Sequence, residues 1–380
     1  MLIIYTFAEN IFVLKRSLLV LFLLISFLFS RATNEDKDST KTKYHFKNLF
    51  FLTPSFYYLP ETNFAFGVTG KIIFKFKGAD STTRASVIYP PIYYTLNNQL
   101  LLQTYYTLFF NREKWILNGN VSFLEFPQKY FGIGNRTPAS NSEYYSYDVF
   151  KTETTLLRCL SEKLFLGIGY RFQQTFKVKS KENGIMEHEK PAGYKGGKCS
   201  GLIANITYDS RDNVIFPTRG SFFEGTSKIH QTLFGSDFNY QTYELNLRKY
   251  FRLSKKKLHI LAVQLFGYFT NGNVFVKDLA ELGSEYLMRG YYQGRYRDRN
   301  QIAMQLEYRL PIWKRFSMVL FGGSGDVENK LSNFAKPNLK YSSGLGIRFT
   351  INRRENLNIR IDWAITPESN SFYFGTSEVF

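Results

Sequence analysis

The stretch NQIAMQLEYRL (residues 300–310) alternates between two kinds of side chain. From position 302, its even-numbered positions carry Ile, Met, Leu, Tyr and Leu, whereas its odd-numbered positions carry Gln, Ala, Gln, Glu and Arg. A period of two with large apolar residues on one side is typical of a β-strand whose two faces meet unlike surroundings. The same alternation returns in KLFLGIGYRFQQ (residues 163–174) and NLNIRIDWAI (residues 356–365), so the sequence predicts an all-β fold.

Sixteen segments of this kind follow one another along the chain, and most run about 10 to 15 residues, which exceeds a strand of a soluble sheet and suffices to cross a membrane at a tilt. Aromatic residues make up 18% of the chain, although the mean hydropathy is only −0.25. A soluble sandwich would also alternate, but strand length and aromatic content favour a membrane protein. Because lipid offers no hydrogen bonds to the backbone, such a sheet must close. We therefore predict a 16-stranded antiparallel transmembrane β-barrel whose strands begin near residues 49, 62, 83, 98, 114, 146, 163, 199, 219, 236, 257, 300, 315, 341, 356 and 371.

The predicted connections differ in length. Short ones include LPET (residues 59–62), NN (residues 97–98) and SEKL (residues 161–164), whereas long ones cover residues 126–145, 178–198 and 272–299. Barrels of the outer membrane have short periplasmic turns and longer external loops. We therefore expect the short connections at the periplasmic end and the long ones outside.

The N-terminal region predicts export. Lys15 and Arg16 precede the apolar run SLLVLFLLISFLF (residues 17–29), and small residues follow at Ser30 and Ala32. This order predicts a signal peptide over residues 1–32, because thirteen apolar residues fall short of the ~20 that a membrane-spanning helix needs. Residues 33–48 form a short polar tail, and residues 49–380 form the predicted barrel. The expected location is the cell outer membrane.

Charge and cysteine content leave several interpretations open. The formal net charge is +18, which fits solvated loops and a polar lumen as well as attraction to anionic lipid headgroups, including those of lipopolysaccharide. The arginine-rich stretch LMRGYYQGRYRDRN (residues 287–300) would, taken alone, suit nucleic acid, which an exported barrel does not meet. Cys159 and Cys199 are the two cysteines; they form no disulfide framework and no metal site, and whether they pair stays open.

A second motif occupies ITYDSRDNVIFPTRGSFFEG (residues 206–225), which predicts a strand, a turn and a returning strand. Charged side chains crowd the turn and are expected to form a network that fixes it. A calcium loop is the competing interpretation, but two interleaved arginines and the spacing argue against it. The candidate residues of this turn are Asp209, Arg211, Asp212, Pro217, Arg219 and Gly220.

Four ordered stretches carry a family resemblance: YDSRDNVIFPTRG (residues 208–220), LGSEYLMRGYYQGRYRD (residues 282–298), QLEYRLPIWKRFSMVLFGGSGDV (residues 305–327) and the C-terminal residues 356–380. Together they resemble the signature of the BamA/TamA-type outer-membrane superfamily, also called the bacterial surface antigen family. That family's barrel has sixteen strands, which agrees with the count made from the alternation. The first half of the chain is similar only in strand pattern.

The resemblance implies that the loop carrying Arg289, Gly290 and Tyr291 folds back into the lumen, where the arginine pairs with an acidic group of the inner wall. Glu307 is the matching position, and the alternation places it on the polar face. A second acid of the family is missing, because Gly323 stands at its position; Asp326, three residues on, is the candidate substitute.

The end of the chain both matches and departs from the family. The resemblance makes Phe380 a C-terminal assembly signal. Thr376 and Glu378, however, stand where such a signal prefers apolar residues. Members that assemble or secrete proteins carry periplasmic repeat domains, whereas sixteen polar residues stand in their place here, so the chain resembles a barrel-only member.

Three function classes follow. The resemblance implies a role in inserting or moving proteins or lipids at the outer membrane, with client outer-membrane proteins or a periplasmic partner. The alternative is a passive pore or structural barrel without client handling. A barrel lipase or protease is the third class; the four histidines sit in no pattern of an activated nucleophile, so we expect no enzyme, no cofactor and no metal.

Overall fold

The computed structural model describes residues 48–76, 79, 83–254, 257–352 and 357–380. The predicted signal peptide and all but the last residue of the predicted tail lie outside the described residues. The described chain is all-β, and sixteen strands build the wall of one closed antiparallel barrel. We label them in chain order: β1 Leu49–Leu59, β2 Asn63–Phe74, β3 Ser86–Tyr89 with Pro91–Thr95, β4 Leu100–Phe110, β5 Trp115–Glu125, β6 Glu143–Ser161, β7 Leu164–Lys179, β8 Gly197–Asp209, β9 Gly220–His230, β10 Tyr240–Arg252, β11 Ile260–Gly272, β12 Asn300–Trp313, β13 Phe316–Glu328, β14 Lys340–Asn352, β15 Leu357–Ile365 and β16 Asn370–Thr376.

Each wall strand pairs with its neighbour in the chain, and the predicted strand count is confirmed. Strand β3 consists of two segments, separated at Pro90, that both pair with β2 and β4. A proline has no N–H to donate to the sheet, so it interrupts the ladder at this point. Shorter elements lie in the connections: a five-residue helix α1 (Ile185–Glu189), 3-10 turns at Thr232–Phe234, Val276–Asp278 and Leu331–Ala335, and strands Gln128–Tyr130, Ala280–Leu282 and Tyr296–Asp298.

The two faces of the wall strands differ as the alternation predicts. On β12 the odd-numbered Ala303, Gln305 and Glu307 are buried inside, whereas Met304 and Leu306 are exposed on the outer face. The outer face thus presents apolar side chains to lipid, and the inner face presents polar ones to the lumen. None of the helices among the described residues reaches the length and apolar content needed to span a membrane.

The barrel closes where β16 meets β1, and this seam is short. Tyr58 and Phe374 are the single registered pair across it, and the Phe56 ring stacks on Phe374 at 5.0 Å between centroids. By contrast, β1 and β2 share eleven registered pairs, and β15 and β16 share seven. Fewer backbone pairs make the seam the weakest contact between neighbouring strands.

Strand order corrects the expected placement of two turns. Connections that follow odd-numbered strands all lie at one end, so LPET after β1 and NN after β3 share that end with the long loop of residues 273–299. A direct contact agrees, because the Gln293 backbone N–H donates to Glu61 Oε1 at 2.6 Å. The expectation that these two short turns lie at the end opposite to the long loops is wrong, because the end at which a connection lies depends on which strand it follows and not on its length.

Candidate functional site in the barrel lumen

The long loop, residues 273–299, turns sharply at Arg289. Met288 has φ +59° and Gly290 has φ +108°, and a Cβ at Gly290 would lie 2.5 Å from the Thr366 side chain. The Gly290 N–H donates to the Tyr373 hydroxyl at 2.8 Å, and its carbonyl accepts a bond from Ser371. Glycine is needed here because only it combines this backbone angle with so close an approach. Strand β16 and the turn before it therefore fix the tip of the loop.

The Arg289 side chain is buried against the inner wall. Its Nη1 donates to Asp362 Oδ2 at 2.7 Å, and its Nη2 bonds Glu307 Oε1. The guanidinium carbon also lies 3.6 Å from the centroid of the Phe321 ring. Arg289 is 2% exposed, and both carboxylate residues are 0% exposed. The planar guanidinium thus bonds one carboxylate with each of two nitrogens. A lysine carries a single ammonium group and could not bond both carboxylates with the same geometry.

The structure brings Arg289 and Glu307 together, but the second acid that contacts Arg289 is not the expected Asp326. Asp326 accepts bonds from the Asn135 side chain and the Asn338 backbone and does not contact Arg289. Asp362 on β15 supplies the second carboxylate instead. At Gly323, a Cβ would lie 3.0 Å from Met288 Sδ, so the loop itself occupies the space in which the family's acid would stand.

The two carboxylates belong to a larger arrangement, which we call the ion ring. Neighbouring members are paired: Arg348 bonds Asp362, Arg309 lies 2.9 Å from Glu307, and Arg348 lies 2.9 Å from Glu378. The Arg309–Glu378 contact at 3.9 Å closes the ring. Since a buried charge is costly without a partner, equal numbers of both signs allow all members to be buried together. The members are, in order, Arg289, Glu307, Arg309, Glu378, Arg348 and Asp362.

A second contact holds the long loop near its start, at Asp278. Arg171 of β7 donates from Nη2 to Asp278 Oδ1 and from Nη1 to Oδ2, both at 2.7 Å. The Tyr240 hydroxyl bonds the same carboxylate, and the His230 ring stacks on Tyr240 at 4.3 Å. Burial alone would raise the pKa of Asp278, but Arg171 outweighs burial, and the pKa lies below its ordinary value. Sequence reasoning missed this anchor.

The remaining arginines of the loop are also engaged. Arg295 Nε donates to Glu368 Oε2 at 2.7 Å, and Arg297 bonds Glu281 within the loop. Arg299 donates from Nη2 to the Gly272 carbonyl at 2.8 Å. Tyr291 is 1% exposed and packs in an apolar cluster that includes Leu282, Met288 and Val327. Because these side chains already have partners within the protein, the stretch does not present a free surface for the phosphates of nucleic acid.

The turn after β8 forms the predicted charged network. Arg211 donates to both oxygens of Asp209, at 2.9 and 2.7 Å. Asp212 Oδ1 accepts the backbone N–H of Thr218 at 2.9 Å and that of Arg219 at 3.2 Å. Burial alone would raise the pKa of Asp212, but the bond from the Thr218 hydroxyl, together with these backbone bonds, lowers it.

Two further residues complete that turn. Pro217 is buried at its base. Gly220 has φ +107°, and a Cβ there would lie 2.3 Å from the Ser210 carbonyl, so a side chain is excluded. Among the described residues, no group of His, Cys, Asp and Glu side chains is arranged to hold a metal ion. Cys159 and Cys199 are both free thiols.

Comparison with known proteins identifies the fold. The Omp85 superfamily domain matches residues 77–380. This chain belongs to the Omp85 superfamily. No curated protein is similar to it in sequence.

Three solved structures are similar to the Omp85 barrel described here. BamA from Haemophilus ducreyi lacking POTRA domains 1–3 has a TM-score of 0.59 at 17% identity, over 87% of this chain and 70% of that one. CdiB from Acinetobacter baumannii has a TM-score of 0.56 at 13% identity, over 87% and 59%. CdiB from Escherichia coli has a TM-score of 0.60 at 9% identity, over 86% and 62%. At these identities the likeness shows the fold alone. The location follows from the family, since an Omp85 barrel resides in the outer membrane.

The C-terminus of the Omp85 barrel leaves the wall. Strand β16 ends at Thr376, and Ser377 has φ +65°, which turns residues 378–380 inward. Phe380 is 5% exposed and packs on Tyr250 and Ala262, which belong to the inner face of β10 and β11. The expected assembly signal is therefore buried in the lumen rather than exposed to lipid.

Connections at the long-loop end contact one another. The Gly134 backbone N–H donates to the Arg297 carbonyl at 2.7 Å. Glu143 accepts the backbone N–H groups of Ile185 and Met186 at 2.7 and 2.8 Å, which holds α1 against β6. The first contact ties residues 126–142 to the long loop, and Met186 of α1 packs in one apolar cluster with Phe275 and Val276 of that loop. Sequence alternation does not reveal them, because they join segments that share no repeating pattern.

Proposed function

We propose that this Omp85 barrel assembles or translocates client proteins at the outer membrane by opening at the seam between β16 and β1. The single registered pair, Tyr58 with Phe374, is the observation that carries the proposal. A strand edge with unpaired backbone groups is a template for an incoming strand. Separating one pair costs less than separating the eleven that join β1 to β2.

The filled lumen supports client handling over a passive pore. The long loop is held at Asp278 and at Arg289, and the C-terminal Phe380 packs on the inner wall at Tyr250 and Ala262. A pore needs a continuous water path, which such packing obstructs. We propose that the barrel is closed to ions until its loop or seam moves.

We also propose that the protein is not an enzyme. His230 stacks on Tyr240 and faces Arg171, and His259 Nδ1 lies 2.7 Å from the Tyr308 hydroxyl. Neither contact gives a histidine that activates a serine or cysteine, which supports this proposal. We propose that membrane lipids, including lipopolysaccharide, contact the apolar outer face and that a periplasmic partner delivers clients.

The test is insertion of a client by the reconstituted protein. Proteoliposomes containing the full chain receive a urea-denatured outer-membrane barrel, and its folding is followed by the shift of its band on an unheated gel. We expect faster folding than in empty liposomes and in liposomes holding an equal amount of an unrelated barrel. Equal rates in all three would contradict the proposal, and a stable conductance of the same protein in planar bilayers would favour the pore.

A further inference from the structure

The two ends of the barrel differ in charge. Counted on the sequence, the seven connections that follow even-numbered strands total 40 residues and hold 15 Lys and Arg against five Asp and Glu. The eight connections at the long-loop end total 92 residues and hold 12 Lys and Arg against ten Asp and Glu. The first end, which we call the basic end, therefore has a net charge of +10, whereas the long-loop end has +2. The shorter connections thus concentrate most of the positive charge.

Much of the charge at the basic end is exposed and has no acidic partner. Arg84 and Arg219 lie within 4.0 Å of Glu113 and Asp212, respectively. Within the described residues, no carboxylate lies that close to the charged nitrogens of five other exposed cations: Lys114, Lys163, Lys257, Lys314 and Arg315. The arginines of the ion ring, by contrast, are all paired inside the protein. Cations without an internal partner can attract an external anion.

Exposed apolar side chains stand among these cations. The Lys314 Nζ lies 4.6 Å from the centroid of the Trp313 ring. Trp313 is 61% exposed, and the neighbouring connections expose further apolar residues: Val214, Ile215, Leu253, Leu258 and Ile312. A rim that mixes aromatic, aliphatic and cationic side chains is typical of a protein surface at the boundary between lipid tails and headgroups. The basic end therefore has the composition of a membrane interface.

The lengths of the connections place the cations at the depth of the headgroups. The connection after β12 consists of Lys314 and Arg315 alone, and the connection after β14 has four residues. A headgroup layer is roughly 5–7 Å thick on each side of the bilayer, and an extended chain advances about 3.3 Å per residue. A two-residue turn does not rise beyond that layer. Its charges therefore lie beside lipid phosphates, where a partner in solution would have little surface to contact.

We propose that the basic end binds the phosphate groups of anionic phospholipids, of the phosphatidylglycerol class, in the leaflet that surrounds it. Lys257, Lys314 and Arg315 attract the phosphates, and Trp313 lies beside the acyl chains of the same lipids. Each cation near an anionic surface adds to the attraction, and salt screens it. Lipids held in this way fix the depth of the barrel at this end. The inference goes beyond client handling and does not depend on it.

The experiment measures which lipid contacts each end of the full-length protein. Two variants keep one tryptophan each, Trp313 at the basic end or Trp363 near the long-loop end, with the other two tryptophans, including Trp115, replaced by phenylalanine. Each is refolded into vesicles of equal parts phosphatidylcholine and phosphatidylglycerol, and folding is checked on an unheated gel. Brominated acyl chains, which quench tryptophan on contact, are placed on one of the two lipids at a time.

Phosphatidylglycerol should be enriched next to Trp313 but not next to Trp363. We expect an enrichment of about fivefold at Trp313, the factor that one cation near an anionic surface supplies. The enrichment should fall in about 1 M salt, in which the Debye length is about 3 Å. Equal quenching of Trp313 by the two brominated lipids, or the same preference at both tryptophans, would overturn the proposal. An acidic partner in solution would then explain the charge better.

A charge variant assigns the preference to particular residues. Lys257→Gln, Lys314→Gln and Arg315→Gln together should reduce the enrichment at Trp313 to that measured at Trp363, because the nearest unpaired cations are gone. An undiminished enrichment in the folded triple variant would contradict binding by these three side chains. The comparison of the two tryptophans in otherwise unchanged chains decides the proposal even if the triple variant does not fold.

The matched control removes the same charge from the other end. Lys181, Lys330 and Lys336 are exposed in connections at the long-loop end. Replacing all three with glutamine lowers the net charge of the protein as much as the first triple variant does. We expect the enrichment at Trp313 to stay as in the parent. A loss equal to that of the first variant would show that total charge, and not the basic end, attracts the lipid.

Discussion

At the scale of single residues, Arg289 connects the loop to the wall because it meets carboxylates from two strands, Glu307 on β12 and Asp362 on β15. The alternation of NLNIRIDWAI placed Asp362 on the polar face together with Asn358 and Arg360. The alternation does not predict how far along the barrel axis each inward side chain lies, because that position depends on the stagger of the strands. The sequence therefore predicts that inward acids exist, and the fold decides which of them meets Arg289.

Arg289→Ala tests this connection. Removing the guanidinium leaves Glu307 and Asp362 buried with fewer cations, and breaking one side of a buried pair costs about 3–5 kcal/mol. We expect the temperature at which the folded band disappears on a semi-native gel to fall clearly below that of the parent. Arg299→Ala is the control, because Arg299 lies in the same loop and donates only to a backbone carbonyl. If both variants match the parent, the loop is not held by Arg289.

We expect the stability of the barrel to depend on pH through the buried carboxyl group of Glu61. Burial raises the pKa of its carboxyl group from 4.5 to about 7, although the bond from the Gln293 N–H opposes the shift. A group whose pKa is raised on folding adds stability below its unfolded pKa and loses it as the pH rises through the folded pKa. We expect the free energy of unfolding of the parent to be higher at pH 5 than at pH 8 by up to about 3 kcal/mol, because one pKa unit corresponds to about 1.4 kcal/mol. The parent should therefore be more heat-resistant at pH 5. Glu61→Gln should remove this difference; a variant with the parent's pH profile would show that Glu61 does not cause it.

At the scale of elements, the wall strands follow from local pattern and the long loop does not. Each strand repeats every two residues, so its identity and its inner face can be read from the sequence. The loop has no period, and its anchors at Asp278 and Arg289 involve strands far apart in the chain. The family resemblance led to Arg289, whereas nothing comparable marked Arg171 or Asp278.

Asp278→Asn tests the second anchor. The amide keeps the shape of the carboxyl group but leaves the Arg171 charge with Glu153, 3.8 Å away, as its nearest acid. We expect trypsin to cleave after Lys277 more than about tenfold faster, because a buried pair broken on one side loses about 3–5 kcal/mol and local opening rises accordingly. Asp237→Asn is the control, since Asp237 accepts the Lys198 N–H in another connection. Equal cleavage of the parent and of Asp278→Asn would show that the loop does not depend on this contact.

At the scale of the whole molecule, a closed barrel with one weak contact combines stability with a defined place to open. Fifteen of the sixteen contacts between neighbouring strands connect strands adjacent in the chain, and the remaining one joins the first strand to the last. The sequence predicts the number of strands and hence the closure. The shortness of the seam depends on where Ser377 turns the chain inward, which no periodic pattern reports.

The most direct measurement locks the seam. Cysteines replace Tyr58 and Phe374, the registered pair, in a chain whose Cys159 and Cys199 are serine, and client folding is measured before and after reduction. The account predicts that the oxidised barrel folds clients no faster than empty liposomes and that reduction restores the rate. Cysteines at Gly225 and Leu245, a registered pair between β9 and β10, are the control and should leave the rate unchanged. Full activity of the seam-locked barrel would contradict opening between β16 and β1.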